Sequence, residues 1–458
     1  MNIIKNPLQG GKAFASGGFG CLFDPSLKCE DSNTIDTDIE ASSYDRKRVS
    51  KLMFTKNAKR EYNEIVKYKT ILETIPNYDK YFLVEHFTLC KPSELSEGDL
   101  TGFDKKCKAL TKKKVTAKNI NKRFLNRLKT INMPYGGPDV GEYIKKEKLH
   151  FSKMIELNTC LMNLLERGIL PMNNKGVYHC DLKESNILVD VTNPANMKTR
   201  IIDWGLSTKY FGRSRAIPKV LLNRPFQYNV PFSSVLFNKT FQRMYKEFLE
   251  ENEGYDIGYL KIRAFVVRYV TLWIDERGPG HLKLLNEILK KFFENDLTDL
   301  DQSYREDLIE FSYTFYFIFE YISKILFTYT KSGKLDLQEY FSKVFMKNID
   351  VWGFTMTYIP IMEELYKHHA ELNEKEQSIV DKIKECIYLI IESSDKIINV
   401  KDLLDRLEEL NILFEIAGQN RRPTRRGSYR TSFSQKTTSL KAKSKSSSKG
   451  RTRKNSSK

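Results

Sequence analysis

The chain has 458 residues, of which 40% are hydrophobic and 12% aromatic, so it is long and apolar enough to bury more than one core. This composition excludes a wholly disordered protein and favours two or more lobes. The net charge of +18 is concentrated after residue 417, where 14 Lys and Arg stand without any Asp or Glu. The preceding part has 62 basic against 58 acidic residues and is therefore near neutral.

The seven cysteines are scattered, without a C-x-x-C pair or a Cys/His spacing that would hold zinc. An odd number of unclustered thiols predicts a reduced, intracellular protein, and we expect a cytoplasmic one. The N-terminal sequence lacks the apolar core of a signal peptide. The most apolar window begins at Phe311 and is interrupted by Glu320 and Lys324. It predicts a buried or amphipathic helix rather than a membrane span, so we expect no membrane partner.

Strand patterns surround one helix in the first part of the chain. Residues 8–23 read as two strand-like pieces joined by a Gly-rich turn, and a polar insertion follows at about 24–46. The run "KRVSKLMF" predicts a strand in which Val49 and Lys51 share one face. The segment "AKREYNEIVKYKTILETI" predicts an amphipathic helix, because its apolar residues recur on one stripe that also contains Glu61.

The next segment returns to strand patterns with a charged interruption. Both "KYFLVEHFTLC" and "RLKTINMPYGGP" are strand candidates, and the second runs into a turn. Between them, the Lys-rich stretch at about 91–122 predicts a solvated insertion.

The pattern becomes helical from Gly141 and includes the amphipathic segment "SKMIELNTCLMNLLERGI". Two short strand-like runs follow, "NILVDV" and "RIIDWG", and the sequence is then mostly helical to about Ala417. Strands with one helix, followed by helices, predict an α+β fold in two lobes. The remainder at 418–458 is rich in Ser, Lys and Arg and predicts a disordered tail.

A glycine-rich segment and three charged residues each have an ordinary explanation when taken alone. The segment "ASGGFG", Ala15 to Gly20, could bring backbone N–H groups close to phosphate oxygens, but a plain turn explains it as well. Lys51 fits a solvated strand edge, Glu61 a helix surface, and Asp203 in "IIDWGL" the cap of a turn.

The segment "GVYHCDLKESNILVD" places Asp181, Lys183 and Asn186 within six residues, immediately before an apolar run. Phosphoryl transfer needs positioned phosphates, charge neutralisation and an aimed nucleophile, with little covalent work by the protein. A glycine loop, a strand lysine held by a helix acid, a carboxylate base and oxygen ligands for Mg²⁺ would together meet these needs. The order of these groups along the chain therefore predicts a phosphoryl-transfer site.

In this combination the chain resembles the serine/threonine protein kinase family. The segment "HCDLKESN" is similar to the H-R-D-L-x-x-x-N catalytic loop. The resemblance implies that Asp181 is the catalytic base, that Lys183 steadies the transferred phosphoryl group, and that Asn186 is a Mg²⁺ ligand. The segment "DWG" resembles D-F-G, which implies that Asp203 is the main Mg²⁺ ligand.

The strand motif "VSK" corresponds to the family's ATP-binding lysine. The resemblance therefore makes Lys51 and its helix partner Glu61 catalytic, with Glu64 as the alternative partner. The segment "INMPYGGPD" is similar to the connection between the lobes, beside the adenine ring. The ATP contacts implied by the resemblance are Phe14, Ala15, Ser16, Gly17, Gly18, Phe19, Gly20, Cys21, Leu22, Lys51 and Met133. The implied cofactors are ATP and Mg²⁺, and the implied partner is a protein substrate.

The resemblance implies a two-lobe protein kinase-like fold, with a β-rich N-lobe at 8–135 and a helical C-lobe at 136–417. The segment "DVWGFT" from Asp350 is similar to D-x-W-x-x-G on a buried helix, where the aspartate braces the catalytic loop by hydrogen bonds. Thr355 stands in the place of the final glycine. The whole pattern also resembles the divergent kinases of large DNA viruses, which implies the host-cell cytoplasm or the virion as its location.

Three departures from the family pattern concern the nucleotide site. Ala15 replaces the first glycine and leaves three glycines for the phosphate cradle. Trp204 replaces the usual Phe and keeps its apolar role. Pro134 falls where a backbone N–H usually meets adenine and has no such donor.

A fourth departure concerns regulation. Cys180 replaces the arginine that clamps a phosphorylated activation segment in the family, and a thiol cannot bind phosphate in that way. We therefore expect activity that does not depend on phosphorylation of Ser207, Thr208 or Ser214.

The expected A-P-E sequence is absent, and "NRPFQYNVPFS" stands in its vicinity. Residues 230–348 predict a mostly helical insertion. It either replaces the substrate-docking surface or forms an extra subdomain.

Three other functions are weighed against a protein kinase. A kinase-fold scaffold would lack a catalytic group, and all of them are present. Small-molecule kinases of the aminoglycoside or choline type share an H-x-D-x-x-x-x-N loop but as a rule lack a lysine such as Lys183. The third function is nonspecific nucleic-acid binding through the basic tail. The basic composition of the tail is explained equally well by a solubilising or localising role, or by phosphorylation at Thr424 or Ser428. The sequence leaves the oligomeric state open.

Overall fold

Five short strands near the N-terminus pair into one antiparallel sheet. In the computed structural model, which describes residues 11–30, 47–193, 196–212, 216–293, 313–368 and 372–419, their spatial order is β1-β2-β3-β5-β4. The strands are β1 (Lys12–Ser16), β2 (Gly20–Asp24), β3 (Arg48–Phe54), β4 (Thr88–Cys90) and β5 (Leu128–Pro134).

The register of the sheet separates two faces. Lys51 pairs with Leu22 on β2 and with Ile131 on β5, and directly paired residues point to the same side. Leu52 pairs in the same way with Cys21 and lies on the opposite side. We call the side of Lys51 the inner face and the side of Leu52 the outer face.

Helix α1 (Thr55–Leu72) follows β3 directly and packs against the inner face. Ile65, Tyr68 and Leu72 are buried at helical spacing, so the predicted amphipathic helix is confirmed. The helix buries Ala58 against Met53 and Ile131 of the sheet.

The Lys-rich insertion is folded against the outer face. It contains the short helices α2 (Glu97–Leu100), α3 (Phe103–Lys106) and α4 (Lys108–Thr111). Phe103 and Leu110 are fully buried in one cluster with Phe23 and Leu52 of the sheet. The prediction of a solvated insertion is therefore wrong for its apolar side chains, because most of them are buried while the lysines between them face solvent.

Two disulfide bonds hold this part of the molecule. One joins Cys21 of β2 to Cys107 between α3 and α4, and the other joins Cys29 to Cys90 of β4. The prediction that all thiols are reduced is therefore wrong for these four residues. Spacing along the chain gave no sign of the pairing, because 86 and 61 residues separate the partners.

Helices dominate the rest of the chain. They are α5 (Val140–Glu147), α6 (Phe151–Leu164), α7 (Leu170–Asn174), α8 (Lys239–Glu251), α9 (Tyr259–Arg277), α10 (Leu282–Phe293), α11 (Phe315–Tyr329), α12 (Leu337–Tyr340), α13 (Met346–Thr355), α14 (Ile359–His368), α15 (Glu374–Glu392) and α16 (Val400–Gln419). Three two-stranded ribbons lie between them, formed by β6 (Val177–Tyr178) with β9 (Thr208–Lys209), β7 (Ile187–Asp190) with β8 (Lys198–Ile201), and β10 (Thr330–Lys331) with β11 (Lys334–Leu335). The chain is a mixed α/β protein in which a small antiparallel sheet precedes a mainly helical region.

The part of the apolar window from Phe315 to Tyr329 forms α11, as predicted for a buried or amphipathic helix. Glu320 on this helix bonds to Arg263, and Lys324 lies 3.1 Å from Asp395, so both interrupting charges are paired. Within the described ranges, no helix has the length and apolar character that crossing a membrane requires.

Several predictions concern residues outside the described ranges. These residues include most of the polar insertion at 24–46, the stretch 294–312 of the helical insertion, Ser214 and nearly all of the tail. The described parts of 230–348 are mainly helical, as predicted, and also contain the ribbon of β10 and β11.

Candidate active site

The loop between β6 and β7 is held in place by a buried carboxylate. Asp350 on α13 is fully buried and accepts hydrogen bonds of 2.8 Å from the backbone N–H groups of His179 and Cys180. These are the bracing bonds that the sequence predicted for Asp350. They support a backbone that turns through a left-handed conformation at Cys180, where φ is 62°.

Helix α13 also approaches this loop at a glycine. A Cβ atom on Gly353 would lie 2.5 Å from the carbonyl oxygen of Leu182, which is far closer than a carbon and an oxygen tolerate. Only a residue without a side chain lets the buried helix and the loop lie this close together.

His179 links the loop to the segment that carries Asp203. Its Nε2 atom lies 2.9 Å from the carbonyl oxygen of Ile202, and its Nδ1 atom accepts from the N–H of Asp181 at 3.3 Å. These partners require a neutral ring with its proton on Nε2. The ring is completely buried and packs edge-on against Trp204, so His179 has a structural role in the fold.

The carboxylate of Asp181 is fixed by three neighbouring side chains. Lys183 Nζ lies 3.4 Å from its Oδ2 atom, and Asn229 Nδ2 donates to its Oδ1 atom at 3.0 Å. Asn186 Nδ2 donates to the Asp181 carbonyl at 2.8 Å and reaches Oδ2 at 3.3 Å. The three residues predicted from one short motif are therefore joined, Asn186 by hydrogen bonds and Lys183 by an ion pair to Asp181.

Lys51 and Glu61 form the predicted ion pair between β3 and α1. Lys51 Nζ lies 2.7 and 2.8 Å from the two carboxylate oxygens of Glu61. Glu64, the alternative partner, pairs instead with Lys67 at 3.1 Å. The ambiguity of register is thus resolved in favour of Glu61.

The charge of Lys51 is shared with Asp203. Burial by itself lowers the pKa of Lys51, but the charges of Glu61 and Asp203 outweigh burial and the pKa is raised. The Lys51 charge lowers the pKa of Asp203 against the effect of its burial. Burial raises the pKa of Glu61, and the Asp203 charge adds to this rise, because one ammonium group serves two carboxylates.

Asp203 is held in a left-handed conformation, with φ at 64°. Trp204, the next residue, anchors this turn because its ring is buried against Phe82 and Tyr68 of the N-terminal part and against His179. The apolar role predicted for Trp204 is therefore present, and it anchors the turn that carries Asp203.

Asn186 and Asp203 offer the oxygen atoms that a magnesium ion prefers. The amide nitrogen of Asn186 is committed to Asp181, which leaves its Oδ1 atom free of protein partners among the described residues. No group of three or more His, Cys, Asp or Glu side chains in the described ranges could hold a metal ion. Mg²⁺ suits this sparse donor set, because it keeps several waters and takes phosphate oxygens beside one or two carboxylates.

The glycine-rich turn lies next to Lys51. A Cβ atom on Gly17 would come within 3.7 Å of Lys51 Cε. A Cβ atom on Gly20 would lie 2.6 Å from the carbonyl oxygen of Leu52, so glycine is required where the turn returns to the sheet. The side chains of Phe14 and Phe19 are exposed.

Two of the predicted ATP contacts point away from Lys51. Cys21 is buried on the outer face in its disulfide, and Ser16, which pairs with Cys21, accepts a hydrogen bond from the N–H of Ala109 at 3.0 Å. Leu22 and Ala15 pair with each other and share the inner face with Lys51. The two-residue period of a strand explains the difference, because a contiguous motif always places part of its side chains on the far face.

Met133 lies on β5 opposite Val49 of β3 and is partly buried. The next residue, Pro134, ends the strand without a backbone donor. The N–H of Tyr135 is used within the protein, since it donates to the carbonyl of Lys47 at 2.8 Å.

Two contacts to the loop between β6 and β7 were not predicted. Asn229 donates from one amide nitrogen to Asp181 Oδ1 and to the Leu182 carbonyl at 3.1 Å. Arg224 donates from Nη1 to the Cys180 carbonyl at 2.7 Å and is almost fully buried. Both residues lie in "NRPFQYNVPFS", which has no sequence motif, so only the folded chain reveals them.

No family model and no curated protein matches this chain.

Proposed function

We propose that this protein is a serine/threonine protein kinase with a two-lobe kinase-like fold. The observation that carries the proposal is the gathering of Lys51, Glu61, Asp181, Asn186 and Asp203 from distant parts of the chain. Their ion pair and hydrogen bonds match the roles that the resemblance implies. The sheet order, with one helix between β3 and β4, is consistent with a small lobe above a helical one.

In this proposal Asp181 receives the proton of the substrate hydroxyl. Its carboxylate is already held by Asn229, Asn186 and Lys183, so little reorganisation is needed when a hydroxyl group approaches. Lys183, which is partly exposed, is placed to neutralise the phosphoryl group during transfer.

Lys51 holds the phosphates of ATP, and Glu61 keeps its ammonium group aimed into the cleft. The glycines next to Lys51 leave the backbone N–H groups free to approach phosphate oxygens. Asn186 and Asp203 would hold Mg²⁺, which neutralises charge on the phosphate oxygens when bound.

The proposed site is built without a phosphate clamp. Burial and the nearby Asp350 charge raise the pKa of the Cys180 thiol well above its usual value, so this group stays uncharged. The guanidinium group of Arg224 contacts the backbone of the same residue, because its Nη1 atom donates a hydrogen bond to the Cys180 carbonyl. Ser207 is buried and donates to the His179 carbonyl at 3.3 Å, so it is poorly placed for modification. These contacts support activity that does not depend on phosphorylation.

The decisive experiment is an ATP–Mg²⁺ assay of the full chain on a degenerate peptide array. We expect transfer to Ser and Thr peptides by the wild type. Asp203→Ala should lose transfer with loss of Mg²⁺-dependent nucleotide binding, because it removes the charged metal ligand.

Asp181→Asn separates catalysis from binding. It keeps the shape of the side chain and should still bind ATP, yet turnover should fall by about 10²–10⁴-fold because the base is lost. Equal background transfer by the wild type and by Asp181→Asn would favour the alternative of a kinase-fold scaffold without catalytic activity. Transfer to small alcohols or aminoglycosides but not to peptides would favour a small-molecule kinase.

A further inference from the structure

The insertion that covers the outer face of the sheet carries a dense positive charge. Residues 105–127 contain eight Lys and two Arg and no Asp or Glu. All ten of these side chains are exposed. They are Lys105, Lys106, Lys108, Lys112, Lys113, Lys114, Lys118, Lys122, Arg123 and Arg127. We call this set the basic face.

The charge of the basic face is not neutralised within the described part of the protein. None of its members is within 4.0 Å of a carboxylate there, whereas lysines elsewhere, such as Lys153 and Lys343, pair with neighbouring glutamates. A run of like charges costs free energy through mutual repulsion. A folded segment that keeps such a run unpaired is therefore suited to an anionic partner.

The basic face is held firmly. The apolar residues that neighbour these cations along the chain, Phe103, Leu110, Val115 and Ile120, are completely buried against the sheet. The Cys21–Cys107 disulfide ties its first helices to β2. The lysines are therefore presented by a fixed scaffold rather than by a mobile loop.

The basic face begins beside the glycine-rich turn. Lys108 lies between Cys107, which is bonded to Cys21, and Ala109, whose N–H donates to Ser16 Oγ. Gly17, the next residue after Ser16, lies against Lys51. The basic face therefore begins at the edge of the proposed ATP site.

We infer that the basic face recruits acidic segments of protein substrates, so that Ser and Thr sites flanked by Asp or Glu are preferred. This inference rests on the proposed kinase function. Complementary charge of this kind steers an encounter and selects partners more than it adds affinity.

The chemistry favours an acidic protein over a nucleic acid. Eight of the ten cations are Lys, whereas Arg is the residue that forms bidentate contacts with phosphate. Single-stranded nucleic acids also need exposed aromatic rings for stacking. The one aromatic residue of this segment, Phe124, is only partly exposed and lies beneath the Arg127 guanidinium.

The test compares matched peptides on the full-length protein. One serine peptide is flanked by Asp and Glu, and its partner is flanked by Asn and Gln. The triple variant Lys106→Glu, Lys108→Glu, Lys112→Glu should lower kcat/KM for the acidic peptide by about tenfold or more and leave that for the neutral peptide unchanged. High salt should cause a similar loss in the wild type, because exposed charges are screened.

A matched control reverses the same number of charges elsewhere. Lys239, Lys246 and Lys261 are exposed on α8 and α9, and their replacement by Glu should leave the preference for acidic peptide intact. Equal losses in both triple variants, or no preference in the wild type, would overturn the inference.

A binding measurement separates this inference from the kinase proposal. Fluorescence anisotropy follows the acidic peptide with Ala in place of Ser, which needs no catalysis. Binding by the wild type that is lost in the Lys106, Lys108 and Lys112 variant supports the basic face even if no transfer occurs. Equal binding by both proteins contradicts it, and so does displacement of the peptide by a lower concentration of single- or double-stranded DNA.

Discussion

At the scale of single residues, the site depends on side chains that orient other side chains. Asp181 carries the proposed chemistry, but its two carboxylate oxygens take their directions from Lys183, Asn186 and Asn229. The first two of these neighbours belong to a recognisable motif. Asn229 does not, because its contact arises only when a segment 48 residues further along the chain folds under the loop.

Asn229→Ala should lower kcat with little change in the KM for ATP. The variant removes hydrogen bonds to Asp181 and Leu182, and one lost bond to a charged group corresponds to about 1.5–3 kcal/mol, or about ten- to a hundredfold in rate. Steady-state kinetics measure kcat and the KM for ATP. A urea titration measures separately whether the lost hydrogen bonds also lower the free energy of unfolding. Asn163→Ala, on α6, is the matched control and should behave as wild type. An unchanged kcat in Asn229→Ala would contradict the positioning role.

Lys51 controls the protonation of Asp203. In the wild type the Lys51 charge lowers the Asp203 pKa, so the stability from this pair is present above the ordinary aspartate pKa and is lost as pH falls through the lowered value. In Lys51→Met burial is unopposed by that charge, so Asp203 should take up its proton at a higher pH. A carboxyl carbon NMR titration of both proteins would detect the upward shift. A shift in the opposite direction would show that Lys51 does not act on Asp203.

At the scale of elements, the disulfide between β2 and the insertion decides how firmly the glycine-rich turn is supported. The Cys21–Cys107 bond closes a long stretch of chain, and the buried cluster around Phe103 and Leu110 lies beside it. Both features stabilise the same outer face of the sheet. Loss of either one should therefore weaken the support of the glycine-rich turn.

The double variant Cys21→Ser, Cys107→Ser should lower the free energy of unfolding by about 2–4 kcal/mol, because the unfolded chain regains conformational freedom. Urea titrations under oxidising conditions measure the difference. Cys160→Ser is the matched control, since Cys160 is a free thiol that bonds to the Met197 carbonyl and Ser can keep that bond. The pairing would be refuted by equal stability of the double variant and the wild type.

At the scale of the whole molecule, the folded part extends to the end of α16. Ala417 is buried, and Phe414 stacks on Phe151 of α6 with ring centroids 6.1 Å apart. The predicted tail boundary at 418 therefore falls inside the last helix, which continues to Gln419.

Deletion of residues 420–458 should leave the unfolding midpoint and peptide phosphorylation unchanged, because the cut removes none of the buried contacts of α16. All 14 Lys and Arg that follow residue 417 are lost with the tail, because residues 418 and 419 are Gly and Gln. Any retention of nucleic acid by the wild type should fall sharply on deletion. Calorimetry, the peptide assay and filter binding report these three quantities. Loss of peptide phosphorylation would show that the tail belongs to the active unit.

Local sequence patterns were sufficient to predict the features that involve neighbouring residues. Helical spacing identified α1, and the two-residue period placed Lys51 on one face of β3. The short motif around Asp181 named three of the site residues, because groups a few residues apart on one loop stay close however the chain folds.

The contacts between groups far apart in the chain became known from the folded structure. It paired Lys51 with Glu61 rather than Glu64, brought Asn229 and Arg224 to the loop between β6 and β7, and joined Cys21 to Cys107. It also turned a lysine-rich stretch into a folded cover on the sheet. These outcomes depend on packing between segments far apart in the chain, and no local spacing or propensity encodes such contacts.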